Sequence, residues 1–356
     1  MIKKSVSALL LVAILLIQPL ILVSCGKPRR FKAYDLNSFD TATTVIGYAR
    51  TRGEFNEVSD RIFERLRHYH RLFDIYHKYD GIENLCTVNS LEGGEHRTVT
   101  VHRDIIDMLL YAKETYELTG GVLNVAMGSV LSIWHEYRTA GLDDPMNAAL
   151  PPMSALLSAA EHVSLDSLVI DEAASTVTLT DPHLTLDVGA IAKGWAVEQI
   201  ARELEADKIS GYVLNVGGNI RIIGEQAGGE PWSVGIENPF GDPSEPYLKY
   251  LSLKTSAVVT SGSYQRFYVV GGKSYHHIID PATLMPSERY TSLSIVCRDS
   301  GLGDALSTAL FCMSIEDGRA LVATLEGVEV MWVTPDGKIT TTDGFSALEM
   351  PNAHRG

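Results

Sequence analysis

The chain reads as an α+β protein with mixed or antiparallel sheets covered by helices. Its first half carries amphipathic stretches with apolar residues at helical spacing, while its second half alternates short β-branched runs with further helical stretches. Its 356 residues, 45% of them hydrophobic, suffice for one large domain or two lobes sharing a cleft.

The N-terminal segment has a logic of its own. A basic start at Lys3 and Lys4, an apolar run from Val6 to Val23, and the sequence Leu22-Val23-Ser24-Cys25-Gly26 resemble a lipoprotein signal. In such a signal the Cys25 thiol is acylated before cleavage, and Cys25 becomes the first mature residue. The competing reading is a single spanning anchor, for which about 18 apolar residues suffice. Gly26–Lys32 (GKPRRFK) then reads as a basic tether, so residues 1–24 form the signal and 25–38 the linker to the body.

Phe39–Tyr48 is rich in β-branched residues and predicts a strand, followed by a turn at Gly53. A helix from Phe55 to about Tyr76 carries Val58, Ile62, Leu66, Tyr69 and Phe73 on one face. His68, His70 and His77 resemble a metal cluster only superficially, because neighbours two apart do not share a helical face; solvated or capping roles fit them better. Asp104–Leu118 predicts a second amphipathic helix closed by Gly120-Gly121, and Val122–Tyr137 a loop followed by an apolar helix. Asp143–Met153 is an exposed connection, Ser154–His162 a short helix, and Leu168–Leu179 a hairpin.

From there strands are predicted at 184–188, 212–216, 219–224, 232–236, 256–260, 265–270, 275–279, 293–296, 329–333 and 339–342. Helices are predicted at 191–204, 304–313 and 315–325.

The charge excludes one class of function. Lys and Arg number 30 against 44 Asp and Glu, a net charge of −14, and removing Met1–Ser24 takes away two lysines and no acid. Such a body repels nucleic acid at long range, so an anionic ligand must be held by local lysines, backbone N–H groups or a bound cation. Cys86, Cys297 and Cys312 are odd in number once Cys25 is set aside, which argues against a disulfide framework. Cys297 and Cys312 lie in apolar contexts suited to small reduced core residues.

Several short segments have chemistry within reach. Asp187–Ala196 (DVGAIAKGWA) joins a predicted strand to a helix through small residues, leaving backbone N–H groups open to a ligand; it matches neither a P-loop nor a dinucleotide fingerprint. A close-packed turn with Lys193 solvated and a phosphate site both fit it. Asp304 and Thr308, four apart, stack their oxygens on one helix face and suit Mg²⁺, although an N-cap aspartate followed by an ordinary threonine fits the same residues. His276-His277 sit at a strand end, so only one of them faces a given site. Asn215–Asn219 and Thr260–Tyr264 read as a tight turn and a polar loop.

Taken in order, these pieces resemble the FAD:protein FMN transferase family, the ApbE lipoproteins. The segments that carry the resemblance are the lipobox, DVGAIAKGWA, LNVGGNI, TSGSYQRFY, HHIIDP and GDALSTALF, and the match runs over nearly the whole mature chain. The resemblance implies two lobes around a flavin-binding cleft, with residues 39–350 as the catalytic domain. It also implies Mg²⁺-dependent transfer of the FMN half of FAD, through a phosphoester bond, to a threonine of an acceptor protein, with release of AMP. By the same resemblance Mg²⁺ is held by the backbone oxygen of Ala190 with Asp304 and Thr308, and FAD touches Asp187, Lys193, Ile279 and Tyr76. Phe39 and the run Val122, Leu123 and Asn124 are further FAD contacts at positions where this chain departs from the usual family residues. Ser307 replaces an aspartate that some members carry, which implies a weaker ligand there or a water. His277 is implied as base or diphosphate stabiliser and Asp304 as the indispensable metal ligand. Acceptors would be exported or membrane-bound redox subunits, reached from a lipid anchor on the extracytoplasmic face. FAD hydrolysis to FMN and AMP, and FAD storage without turnover, are the alternatives.

Overall fold

The computed structural model describes residues 27–90 and 97–350, and its frame is an antiparallel sheet of eight strands. The signal segment and Cys25 lie outside that set. In chain order the elements are β1 (Arg29–Ser38), β2 (Thr41–Ala49), α1 (Arg52–Phe73), α2 (Leu85–Asn89), β3 (Arg97–Thr100), α3 (Arg103–Leu118), α4 (Gly128–Asp143), α5 (Met153–Ala160), β4 (Leu168–Asp171) and β5 (Thr176–Leu179). There follow α6 (Ala192–Ala206), β6 (Tyr212–Val216), β7 (Asn219–Ile223), β8 (Trp232–Glu237), β9 (Tyr247–Leu253), β10 (Ser256–Gly262), β11 (Phe267–Val270), β12 (Lys273–His276), β13 (Ile279–Asp280), β14 (Met285–Pro286), β15 (Ser292–Cys297), α7 (Ser300–Cys312), α8 (Ile315–Val322), β16 (Glu329–Val333) and β17 (Ile339–Thr341).

The large sheet runs β1-β2-β6-β7-β10-β15-β16-β17, with every pairing antiparallel. Side-chain alternation explains why both of its faces are covered. Val213, Ile222, Val258, Val296 and Met331 point to one side and pack with Trp232, Val234, Ile236, Leu251 and Leu253 of the β8–β9 hairpin. Their neighbours Tyr212 and Leu214 point to the other side with α1 and α6, and Ala257, Ile295, Cys297 and Trp332 meet α7 there. Every residue of β15 is buried, as a central strand between two layers requires. The α+β expectation stands, with antiparallel sheets and covering helices.

Several local expectations are corrected. Residues 29–38, read as part of the tether, form β1 and pair with β2 from Arg29↔Ala49 onward, so the folded body begins before Phe39. The α1 helix starts at Arg52 because Thr51 and Glu54 form a reciprocal capping box, which puts Gly53 in the first turn. Residues 184–188 are extended but join no ladder. They are held instead by Asn89, whose amide brackets Leu186 at 2.8 Å on both its N–H and C=O, and by Asp187 N–H to Val125 O at 2.8 Å. β3 and β9 went unpredicted, and the run expected at 275–279 breaks between β12 and β13. Cys86, Cys297 and Cys312 are free, with the last two buried as core residues.

One buried ion pair ties the sheet to its helices. Arg221 on β7 is 1% exposed and donates to Glu198 of α6 at 2.9 Å and 3.2 Å, while the Ser300 amide at the start of α7 donates to the same carboxylate at 2.8 Å. Removing Glu198 leaves the buried guanidinium with a single carboxylate, that of Glu205 at 3.0 Å, and the Ser300 amide without its acceptor. Glu198→Ala is therefore expected to lower the unfolding free energy by about 3–5 kcal/mol, read as a fall in the urea midpoint with an unchanged slope.

Candidate active site

A cleft of about 380 Å³ opens between the β1–β2 turn, the end of α1, the turn before α6, and α7, a size typical of small-molecule sites. It gathers Phe39, Tyr76, Val122, Leu123, Asn124, Asp187, Ala190, Lys193, His277, Ile279, Asp304 and Thr308. All the residues singled out for metal, FAD and catalysis from the sequence thus converge, although more than 260 residues of chain separate the first from the last.

The metal-side group depends on a close helix crossing. A Cβ on Gly194 of α6 would lie 2.4 Å from both Asp304 Cβ and Ser300 O, so only glycine lets α6 approach α7 this far. That contact brings the Gly194 amide to Asp304 Oδ2 at 2.8 Å and Lys193 Nζ to the two Asp304 oxygens at 2.9 and 3.2 Å. Asp304 is 5% exposed and sits in mid-helix; the N-cap of α7 is Asp299, which accepts from the Leu302 amide. Neither bland reading from the sequence holds, because Lys193 is paired rather than solvated and Asp304 caps nothing. A carboxylate this deep needs a compensating cation, and Lys193 supplies it.

The donor set fits a hard divalent ion. Asp304, Thr308 and Ala190 line the same cleft and carry a carboxylate, a hydroxyl and a backbone carbonyl as oxygen donors, and the buried Oδ1 of Asn219, another lining residue, has no hydrogen-bond partner. Ser307, by contrast, turns away. Its hydroxyl lies 2.9 Å from Ser261 Oγ and donates to Asp304 O at 2.9 Å, so the missing aspartate leaves no gap in the cleft lining.

The aromatic wall is built under local strain. Phe39 and Asp40 form the two-residue turn between β1 and β2 with φ of 55° and 50°, a left-handed conformation that costs a non-glycine residue about 1–2 kcal/mol. The turn is held by the Phe39 amide donating to His70 Nδ1 at 3.2 Å and by an edge contact of the two rings at 5.8 Å. Strain retained at a cleft edge is a mark of function. Across from it, Asp74 caps the end of α1 by accepting from the Tyr76 and His77 amides at 2.7 and 3.0 Å, and Tyr76 stacks on His135 at 5.0 Å. Asn124 lines the cleft, but its amide is engaged by the Ala126 amide and by Val163 O.

Two guanidinium groups escaped the sequence reading. Arg138 and Arg266 line the cleft close enough to Tyr76, Asp187 and His277 to shift their ionisation, and Arg138 donates to His135 Nδ1 at 2.9 Å. With Lys193 they place three cations among the four carboxylates of the lining, Asp40, Asp74, Asp187 and Asp304, in an otherwise acidic protein. Arg266 lies inside the TSGSYQRFY run and was legible; Arg138 follows Trp134 by one helical turn in a segment without a motif. Burial raises the Asp187 carboxyl above its usual range, despite the Gly189 amide at 2.8 Å and the two arginines nearby.

His277 occupies the break between β12 and β13, facing the cleft, while His276 turns into the core and bonds Ser287 O at 2.7 Å. Burial, then the charges of Arg266, His276 and Arg138, push His277 down to about 3, so the ring is neutral at ordinary pH. Its buried Nδ1 has no hydrogen-bond partner. The unfolded chain binds this proton near 6.5 and the folded one only near 3. His277 therefore favours the fold fully above pH 6.5, and that contribution is lost as pH falls toward 3. His277→Gln is expected to lose less stability than the parent over that interval, measured by urea unfolding at stepped pH.

Comparison with known proteins places this geometry. The model of the ApbE family matches residues 39–332. An FAD:protein FMN transferase of Klebsiella pneumoniae (strain 342) is 30% identical over 279 residues, covering 76% of this chain and 83% of its own length. One from Treponema pallidum (strain Nichols) is 34% identical over 275 residues, covering 73% of each. The crystal structure of the ApbE protein of Thermotoga maritima superposes with a TM-score of 0.77 at 26% identity, covering 91% of this chain and all of its own. The flavin transferase ApbE of Vibrio cholerae shares the fold with a TM-score of 0.72 at 23% identity, covering 90% of this chain and 99% of its own. The strained turn, the two cleft arginines and the paired Asp304 thus sit on the scaffold of these relatives, and the chain belongs to the ApbE family.

Proposed function

We propose that the protein is an Mg²⁺-dependent FAD:protein FMN transferase that moves FMN from FAD to a threonine hydroxyl of an acceptor protein and releases AMP. The observation that carries this reading is the convergence of Asp304, Thr308, Lys193, Arg138, Arg266 and the unpartnered His277 Nδ1 on one cleft, within a family whose relatives bear that name.

The chemistry follows from those groups. Lys193, Arg138 and Arg266 bind and neutralise the diphosphate, holding the phosphorus of the FMN half toward the acceptor oxygen. Phe39 and Tyr76 offer flat surfaces to the aromatic ends of FAD. A divalent ion on Asp304, Thr308 and the Ala190 carbonyl would supply charge neutralisation at the bridging phosphates. Lys193, which satisfies Asp304 in its absence, would then be available to a phosphate oxygen. The threonine oxygen forms the new bond to phosphorus, the bond from that phosphorus to the bridging oxygen breaks, and AMP departs with that oxygen. His277 takes the hydroxyl proton at Nδ1. Burial is the chief cause of its low basicity, and pairing of the diphosphate with Arg266 and Arg138 would relieve only the lesser part of that depression.

Cys25, outside the described residues, would carry the lipid that anchors the protein on the extracytoplasmic face, within reach of exported or membrane-bound redox acceptors. Hydrolysis of FAD uses the same groups with water in place of threonine and yields free FMN.

Asp304 is the residue to change, and the buried ion pair dictates how. An alanine there would leave Lys193 and the Gly194 amide without their partner, so Asp304→Asn, which keeps the shape and an acceptor for Gly194, is the cleaner probe. With FAD, Mg²⁺ and a threonine-bearing acceptor domain, the parent is expected to add one FMN mass to the acceptor. The folded Asp304→Asn variant is expected to lose at least about a hundredfold in rate, as when a transition-state charge partner is removed. Parental rates in that variant would dismiss the metal assignment. Free FMN without labelled acceptor would favour hydrolysis, and retained FAD without AMP would favour storage.

A further inference from the structure

A second set of ligand-bearing side chains lies on the side of α1 away from the cleft. His68 of α1 places Nε2 2.8 Å from Asp104 Oδ2, and His102, the N-cap of α3, places Nδ1 3.4 Å from the same oxygen. The two imidazoles meet edge to face at 5.2 Å, and one ligand atom from each of the three residues lies within 4.8 Å of the others. The sequence concealed this arrangement, because it offered His68 with His70 and His77 as the apparent cluster. Those two diverge: His70 holds the Phe39 turn, and His77 pairs with Asp74.

We propose that His68, His102 and Asp104 form a Zn²⁺ site that clamps α1 to the start of α3. Zinc bonds to nitrogen and oxygen at about 2.0–2.2 Å, so two ligands of a tetrahedral centre lie roughly 3.4 Å apart. The His102 separation of 3.4 Å from Asp104 already matches that edge, and the His68 separation of 2.8 Å is shorter than it, so His68 must draw back on binding. Two imidazoles and one carboxylate suit zinc, whereas Mg²⁺ prefers an all-oxygen octahedron such as the cleft offers. Water has access for the fourth position, since the His102 side chain is 51% exposed and that of His68 33%. Arg65, the neighbouring cation, is itself engaged by Glu203 at 2.8 and 3.0 Å. The metal would replace two contacts, the Asp104 amide to His102 Nδ1 at 3.2 Å and the His68 Nε2 to Asp104 Oδ2 hydrogen bond at 2.8 Å. Its consequence is mechanical. The same helix carries His70 and Phe73 into the cleft, so a clamp at its His68 turn would stiffen the wall that supports Phe39.

The test is isothermal titration of the full-length chain in detergent with zinc chloride, in millimolar Mg²⁺ to occupy the cleft. One equivalent of zinc is expected to bind to the parent. His102→Ala, at an exposed position that leaves the fold intact, and His68→Ala are each expected to weaken binding by roughly tenfold or more. Cobalt should give a tetrahedral absorption spectrum with the parent that is lost in both variants. No stoichiometric zinc uptake by the parent, or uptake of unchanged affinity in both variants, would overturn the assignment.

Discussion

The site hangs on one close approach, that of α6 to α7 at Gly194. Without a side chain at that position the helices come near enough for Asp304 to be sealed at 5% exposure and still receive the Gly194 amide and the Lys193 ammonium. Around the crossing stands a rigid support: Ser300 Oγ donates to Gly194 O at 2.8 Å, Asn219 Nδ2 to Ser300 O at 3.2 Å, and the Ser300 amide to the Glu198 carboxylate that also holds Arg221. A carboxylate fixed in this way cannot relax toward solvent. Its charge must be met inside the cleft, by Lys193 or by a ligand's cation.

The remaining groups are organised around anionic and aromatic recognition. An acidic body would repel a dinucleotide, and the cleft itself carries Asp40, Asp74, Asp187 and Asp304, so Arg138, Arg266 and Lys193 act as local cations for an anionic ligand, with His277 neutral beside them. The energetic signature is consistent: the fold tolerates a left-handed Phe39–Asp40 turn, a buried histidine nitrogen without a partner and an orphaned Asn219 oxygen, all in one cavity. Comparable exceptions occur elsewhere, with positive φ at Ser175, Lys208 and Leu284 and unpartnered indole N–H groups at Trp232 and Trp332, whereas in the capping box of α1 local preference and tertiary contact agree.

Much of this was legible because it is local. Alternation exposed most of the strands from Tyr212 onward, β9 excepted, helical spacing exposed α1 and α3, and the four-residue step from Asp304 to Thr308 showed two oxygens on one face. What escaped was set by distant partners. The segment 184–188 reads as a strand, but its amides bond to Asn89 and Val125 instead of a ladder. Residues 29–38 look like a basic tether until β2 supplies the pairing edge. Lys193 reads as solvated until α7 brings Asp304 beside it, and His68 gains Asp104 only across two helices.

The central claim is that oxygen donors from the turn before α6 and from α7 meet at one divalent ion against the diphosphate of FAD. Crystals grown with FAD and Mn²⁺ and measured at the manganese absorption edge test it directly. The account predicts an anomalous peak within about 2.3 Å of the Asp304 carboxylate, the Thr308 hydroxyl and the Ala190 carbonyl, with Lys193 turned to a phosphate oxygen. FAD bound in the cleft with no peak there, and Lys193 still paired to Asp304, would contradict it.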